Sequence, residues 1–300
     1  MTSQTSSPLA RSEALPGTIL LGIDVETADE NAAGFVERGL PLVDRLGVPV
    51  TWYVTGRTLE RWPDRFRHAD AHPLVDIQSH THAHLLLKTI LTRFPPHAAE
   101  ACGSPYQMVR GASTEEIDAD LARAQSAFLQ ILGRRAEALT GPWCYYRGLG
   151  DRPDLLEIVH RHGFRILRTF GRNAEDSQPV PLEWQPFAYA AQGFQDILEI
   201  LVHDYQDDFL WEQFAVRQPG ERYTDHLRAV AETVAARGLV WSMASHDHGS
   251  ATEEGFERKA SWIRDIVPCA AGLGIRFLTA RQYAAERAGR APAPPSTPAG

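Results

Sequence analysis

The sequence predicts an α/β domain in which helices cover a largely parallel sheet, and three observations lead there. Seven short apolar runs recur along the chain: TILLGIDV, VPVTWYVT, PLVDIQS, FRILRT, ILEILV, LVWSMAS and IRFLT. Each has the length and the β-branched or aromatic content of a buried strand. Amphipathic stretches with helical periodicity lie between most of them, and no repeat or linker divides the series. Strands that alternate with helices in this way form a parallel sheet, either an open doubly wound one or a closed barrel. The first strand runs into IDVETADEN, with acids where a phosphate-binding fold would carry a glycine-rich loop, which weakens a nucleotide-binding reading.

The elements can be justified in order. TADEN supplies acids to open the helix that follows the first strand. Ser113 and Glu116 have the spacing of a capping box, and the helix they start stops at Gly133. DRPDLLEIVHRHG places Pro153 in a first turn and Gly163 just beyond the end. ERYTDHLRAVAETVAARG closes on Gly238. His160 and His162 fall at a helix end, where a cation suits the dipole. Between the third strand and Ser113, the segment from about Leu91 to Ala112 reads as a long irregular insertion of the kind that often carries function. Residues 1–16 and 289–300 read as a flexible leader and a disordered Pro/Ala tail around a single domain of residues 17–288.

Composition removes several function classes. The 300 residues are 43% hydrophobic and 23% charged, ordinary for a globular domain. A formal net charge of -8 argues against a nucleic-acid or anionic-membrane surface. No run approaches the roughly 18 apolar residues of a membrane span, and the N-terminus lacks the basic-then-apolar pattern of a secretion signal. Cys102, Cys144 and Cys269 are odd in number and widely spaced, which suits reduced thiols in the cytoplasm. Partners are expected among small molecules or glycans. The sequence sets no oligomeric state.

The acids and imidazoles fall at strand ends. Asp24 and Glu26 close the first strand, His80, His82 and His84 follow PLVDIQS, and His246, Asp247 and His248 follow LVWSMAS. In a parallel barrel these ends converge on one face. Asp24 alone could be a helix cap or loop acid; three strand ends together argue for a site. His80 and His84, four apart, would face one way on a helical turn and could share a metal, leaving His82 as an outer partner or structural residue. One carboxylate and two imidazoles leave positions open for water and a substrate oxygen. No GxSxG elbow suggests a serine nucleophile.

These motifs make the chain resemble the polysaccharide deacetylases, or NodB-homology esterases, over roughly residues 17–288. IDVE matches the acidic first motif, His80-Thr81-His82-Ala83-His84 matches H-[ST]-x-x-H, SMASH ends in the family's last catalytic histidine, and IRFLTARQYAAE matches the closing strand and helix. The resemblance implies a distorted, incomplete (β/α) barrel of about seven parallel strands. It also implies a metal-dependent hydrolase that removes an N-acetyl or N-formyl group from a sugar or glycan precursor. Asp24 would be the general base for the attacking water and His246 the general acid for the leaving amine. Glu26, His80 and His84 would hold a divalent ion, with zinc expected.

The sequence departs from the family in two places. Glu26 stands where an aspartate is usual, one methylene longer. The third motif normally supplies an arginine for the base, but LTGPWCYYRG has Thr140 or Gly141 there, leaving Arg147 as a candidate from a different position. Trp143 and Tyr145 could line a substrate groove or simply pack. The acid that tunes the catalytic histidine is expected in HDYQDD, at Asp204, Asp207 or Asp208. Two other functions fit the same fold: hydrolysis of a cyclic imide or allantoin-like amide, which the altered third motif makes credible, and a non-catalytic carbohydrate-binding role.

Overall fold

The computed structural model describes residues 16–93, 106–172, 180–205 and 222–290. Within them lie strands β1 (Thr18–Val25), β2 (Val50–Val54), β3 (Val75–Ser79), β4 (Ile90–Arg93), β5 (Tyr106–Val109), β6 (Ala138–Tyr146), β7 (Ile166–Arg172), β8 (Phe187–Tyr189), β9 (Phe194–Glu199), β10 (Asp204–Tyr205), β11 (Val240–His246) and β12 (Arg276–Phe277). The helices are α1 (Glu30–Leu46), α2 (Gly56–Arg61), α3 (Pro63–Asp70), α4 (Thr114–Leu132), α5 (Pro153–Arg161), α6 (Tyr223–Arg237), α7 (Glu253–Gly272) and α8 (Ala280–Arg290).

Each of the seven apolar runs contributes a strand. The main sheet runs β10-β11-β1-β2-β3-β6-β7-β9-β8, with β12 alongside the start of β1. Every pairing in it is parallel except β8 with β9. The sheet curls towards a barrel but does not close, because β10 and β8 form its two ends among the described residues. The chain is therefore a single α/β domain with the architecture of an incomplete barrel.

Strand alternation builds two cores. Ile19, Leu21 and Ile23 of β1 join the large cluster beneath the helices, whereas Leu20 joins Tyr53, Ala138, Ile166, Leu198 and Val240 in the interior. The helix ends follow local chemistry. Asp29 caps α1 by accepting from the Asn31 amide, and Gly47 ends it in the left-handed region at φ 65°. Both capping-box hydrogen bonds are made between Ser113 and Glu116. α6 ends at Gly238 with φ 64°. His160 and His162 pair with Asp196 and Asp118, apart from the barrel mouth.

Two expectations need correction. The Leu91–Ala112 insertion is not wholly irregular: β4 and β5 pair antiparallel, with Leu91 opposite Met108 and both exposed. The stretch ALTGPWCYY, absent from the seven expected strands, is the nine-residue strand β6. It reaches strand length by bulging. Thr140 pairs with Arg168 and Tyr145 with Phe170, so the residues between them are extruded. Trp143 and Cys144 in that bulge have φ of 65° and 50°. The segments 1–15 and 291–300 lie outside the described residues, and α8 continues to Arg290, two residues past the expected domain edge.

Candidate active site

Parity puts the site inside the barrel mouth. Asp24 shares the inward face of β1 with Leu20 and Gly22, and Glu26 follows two residues later. The spacing of the two acids thus repeats the two-residue period of an extended chain. Asp76, Gln78 and His80 continue the inward face of β3, opposite to Val75 and Ile77 of the helix-side core. On β11 the inward series is Val240, Ser242, Ala244 and His246, and the Cα register pairs Asp24 directly with His246. The five residues expected at the site are therefore brought to one mouth by three strand ends.

At its centre is the Glu26 carboxylate. Its Oε2 lies 2.8 Å from His80 Nε2 and 2.9 Å from His84 Nε2. Oε1 meets His248 Nε2 at 2.8 Å. Asp24 Oδ2 is 4.0 Å from His80 Nε2 and 3.9 Å from His246 Nε2. Burial alone would push the Glu26 carboxyl up, but its contacts with the His248, His80 and His84 imidazoles together hold it far below the usual carboxylate range.

His80 bears on whether a metal fits. Its Nδ1 lies 3.2 Å from the Thr140 carbonyl oxygen, which can only accept, so Nδ1 carries a proton. In the neutral ring Nε2 then presents a lone pair to Glu26 Oε2. Two lone pairs at that separation call for a cation between them, and two imidazoles with one carboxylate are a donor set suited to zinc. The ligand atoms of Glu26, His80 and His84 all lie within 4.8 Å of one another, as do those of Asp24, Glu26 and His246.

The turn between the two histidines differs from the helical turn expected. Thr81 and His84 adopt φ of 61° and 55°, a left-handed conformation that costs non-glycine residues roughly 1–2 kcal/mol each. Hydrogen bonds hold it. The buried Asp120 of α4 accepts from the His82 and Ala83 amides at 2.7 and 3.0 Å, and Thr81 Oγ1 accepts from the Leu85 amide. His82 turns away to Glu60 on α2 at 3.2 Å, consistent with a structural residue.

The arginine that meets Asp24 is Arg168, which none of the sequence motifs marks. Arg168, on the inward face of β7 and 1% exposed, donates through Nη2 to Asp24 Oδ1. Its Nε donates to Thr140 Oγ1 at 3.0 Å, and the guanidinium lies 4.4 Å from the Tyr53 ring centre. Gly22 makes room for it: a Cβ there would lie 3.2 Å from Arg168 Nη1 and from a Tyr53 ring carbon. Arg147 instead stacks on Tyr146 at 4.9 Å. A cation in the middle of FRILRT, on the parity that faces inward, was the available signal.

Three further points concern the rim. Tyr145 is a packing residue, buried, with its hydroxyl accepting from the Leu87 amide at 2.8 Å. Trp143 is 48% exposed on the bulge. Asp207 and Asp208 lie outside the described residues, as does the side chain of Asp204, whose backbone belongs to β10. Among described residues no helix is long and apolar enough to cross a membrane.

Comparison with known proteins agrees with this architecture. A candidate polysaccharide deacetylase from Mycobacterium smegmatis superposes with a TM-score of 0.62 at 18% identity, covering 99% of both chains. A family 4 carbohydrate esterase from Streptomyces lividans, solved with acetate, gives 0.50 at 13% identity over 88% of this chain and 93% of that one. The pseudoenzyme BA3943 of the same esterase family, from Bacillus anthracis, gives 0.53 at 11% identity over 91% and 66%. At such identities the likeness establishes the fold and leaves activity open. No curated protein shows a significant sequence match. The polysaccharide deacetylase family model matches residues 18–166, the stretch that carries both acids and the histidine turn. With that match, and with the deacetylase fold around the acids and histidines of the barrel mouth, the chain belongs to the polysaccharide deacetylase family.

Proposed function

We propose that this protein is a metal-dependent amide hydrolase that removes an N-acetyl or N-formyl group from a sugar or glycan precursor. The observation that carries the reading is the convergence of Asp24, Glu26, His80, His84 and His246 within one barrel mouth. Glu26, His80 and His84 would hold the ion, with zinc the best match to the donor set. When bound, such an ion supplies Lewis-acid polarisation of the amide carbonyl and acidification of water.

The chain's own residues supply the proton handling. Asp24, held in place by Arg168, takes the proton of the attacking water. His246, on the opposite side of Asp24 from His80, donates a proton to the leaving nitrogen. Arg168 fixes the carboxylate orientation while Thr140 fixes Arg168. The cyclic-imide alternative drew its support from the missing third-motif arginine, and Arg168 weakens that support. Retention of acids, histidines and arginine likewise argues against a non-catalytic role. The free thiols of Cys144 and Cys269 fit our assignment to the cytoplasm, which cell fractionation would test.

The deciding experiment pairs elemental analysis of the purified protein with acetate, formate and amine release from a panel of N-acyl sugars and cyclic imides. One equivalent of divalent metal together with acyl release from a sugar supports the proposal. Imide opening without sugar turnover would replace it.

A further inference from the structure

The His248 imidazole is half exposed, belongs to no expected motif, and yet lies at hydrogen-bond distance from the carboxylate at the centre of the site. Its Nε2 is 2.8 Å from Glu26 Oε1, the oxygen not shared with His80 and His84. The two clusters whose ligand atoms fall within 4.8 Å of one another among the described residues both include Glu26, and neither includes His248. So His248 belongs beside the carboxylate rather than beside an ion.

The loop that carries it is anchored on several sides. Asp247 N donates to the Asp24 carbonyl at 3.0 Å, and Asp247 Oδ2 accepts from Thr27 Oγ1 at 2.7 Å. Lys259 Nζ reaches from α7 to the His248 and His246 carbonyl oxygens. The backbone of residues 246–248 is thereby tied to residues 24–27, so the ring is delivered to Glu26 by preformed contacts.

We propose that His248 is a positioning residue which donates to Oε1 of Glu26 and leaves Oε2 alone to face the ion. The proposal rests on the metal reading above. Its physical reason is the extra methylene of Glu26. A glutamate carboxylate has one more rotatable bond than an aspartate's and can turn either oxygen, or both, towards a cation. A donor fixed on one oxygen removes that freedom, as the outer partners of metal-binding groups do.

The test measures Zn2+ affinity by competition with a chromophoric chelator at one pH, for the wild type and for His80→Ala, His248→Ala, His248→Gln, Glu26→Ala and the Glu26→Ala/His248→Ala pair. His248→Ala should weaken Zn2+ binding about 10–100-fold, the usual effect of losing such a partner. His248→Gln, whose amide nitrogen can occupy the place of Nε2, should recover most of that loss. In the Glu26→Ala background, His248→Ala should have no further effect. Unchanged affinity in His248→Ala, with affinity lost in His80→Ala, would overturn the role of His248 and leave the metal site intact. Unchanged affinity in His80→Ala would overturn the metal site itself, and the proposal with it.

Discussion

Replacing His203 tests how the sheet edge beside the proposed acid responds to pH. The ring is buried just before β10. Its Nδ1 accepts from the Ser242 amide at 3.1 Å, and its Nε2 donates to the Trp184 carbonyl at 2.6 Å. Both partners are backbone groups with fixed roles, so the ring is held neutral with its proton on Nε2. Burial pushes its pKa from 6.5 down to about 4. The unfolded chain takes up a proton near 6.5 and the folded chain only near 4. Between those values the unfolded state carries the extra proton, so stability is present above 6.5 and is lost as pH falls towards 4. Each unit of pKa being worth about 1.36 kcal/mol, the whole window amounts to about 3 kcal/mol, of which about 2.5 kcal/mol is spent between pH 7 and pH 4.5. Urea unfolding at those two pH values, for the wild type and His203→Gln, reads the effect. Glutamine keeps a donor for Trp184 but does not titrate, so the variant should lose about 2.5 kcal/mol less than the wild type over the interval. An identical acid loss in both proteins would show that His203 protonates as readily in the folded state as in the unfolded one.

Four further outcomes are expected. His80→Ala and His84→Ala should each lose bound metal by elemental analysis, whereas His82→Ala should keep it; the reverse pattern would mean that the ligands are misassigned. Asp24→Asn should keep the metal and abolish turnover, and equal metal loss in Asp24→Asn and Glu26→Ala would mean that both acids are ligands. Arg168→Met should cost about 3–5 kcal/mol in urea unfolding by stranding the buried Asp24 carboxylate. Adding Asp24→Asn should recover much of that, and strictly additive losses would sink the pairing. His246→Ala should keep the metal and slow amide hydrolysis by about 10²–10⁴-fold, with less effect on substrates that have good leaving groups; near wild-type amide turnover would remove it from the mechanism.

What was legible in the sequence was what one strand or one helix decides. The seven apolar runs marked strands because burial on both faces of a parallel sheet writes a continuous apolar run. β6 was not legible, because its bulge uses Gly141 and Pro142, residues that locally mean a turn, and only pairing with β3 and β7 keeps the chain extended. The antiparallel ribbon of β4 and β5 was missed for a related reason: strands of four residues are too short for their alternation to stand out. The histidine pair was found by its spacing, though the reason given for it was incomplete. A helical turn was expected, and the rings meet instead through left-handed residues held by Asp120, a residue 38 positions from His82.

Arg168 shows why the remainder of the site was hidden and also why the site holds together. A motif reading looks for the arginine near Thr140, whereas the barrel brings position 168 beside it, Thr140 and Arg168 being register partners on neighbouring strands. What the interior requires is a cation against Asp24, and it does not matter which strand delivers it. Thr140 is small enough to leave the space, and Gly22 opens the rest of it. With Arg168 committed to Asp24, the second acid, Glu26, still carries a negative charge that no arginine or lysine in its described contacts offsets. It is surrounded by His80, His84 and His248. His80 commits its Nδ1–H to the Thr140 carbonyl, so in the neutral ring its Nε2 has only a lone pair to offer the carboxylate. The charge left over after the arginine is paired is therefore located where a divalent ion would be most strongly held, between Glu26 and the two histidines of the turn.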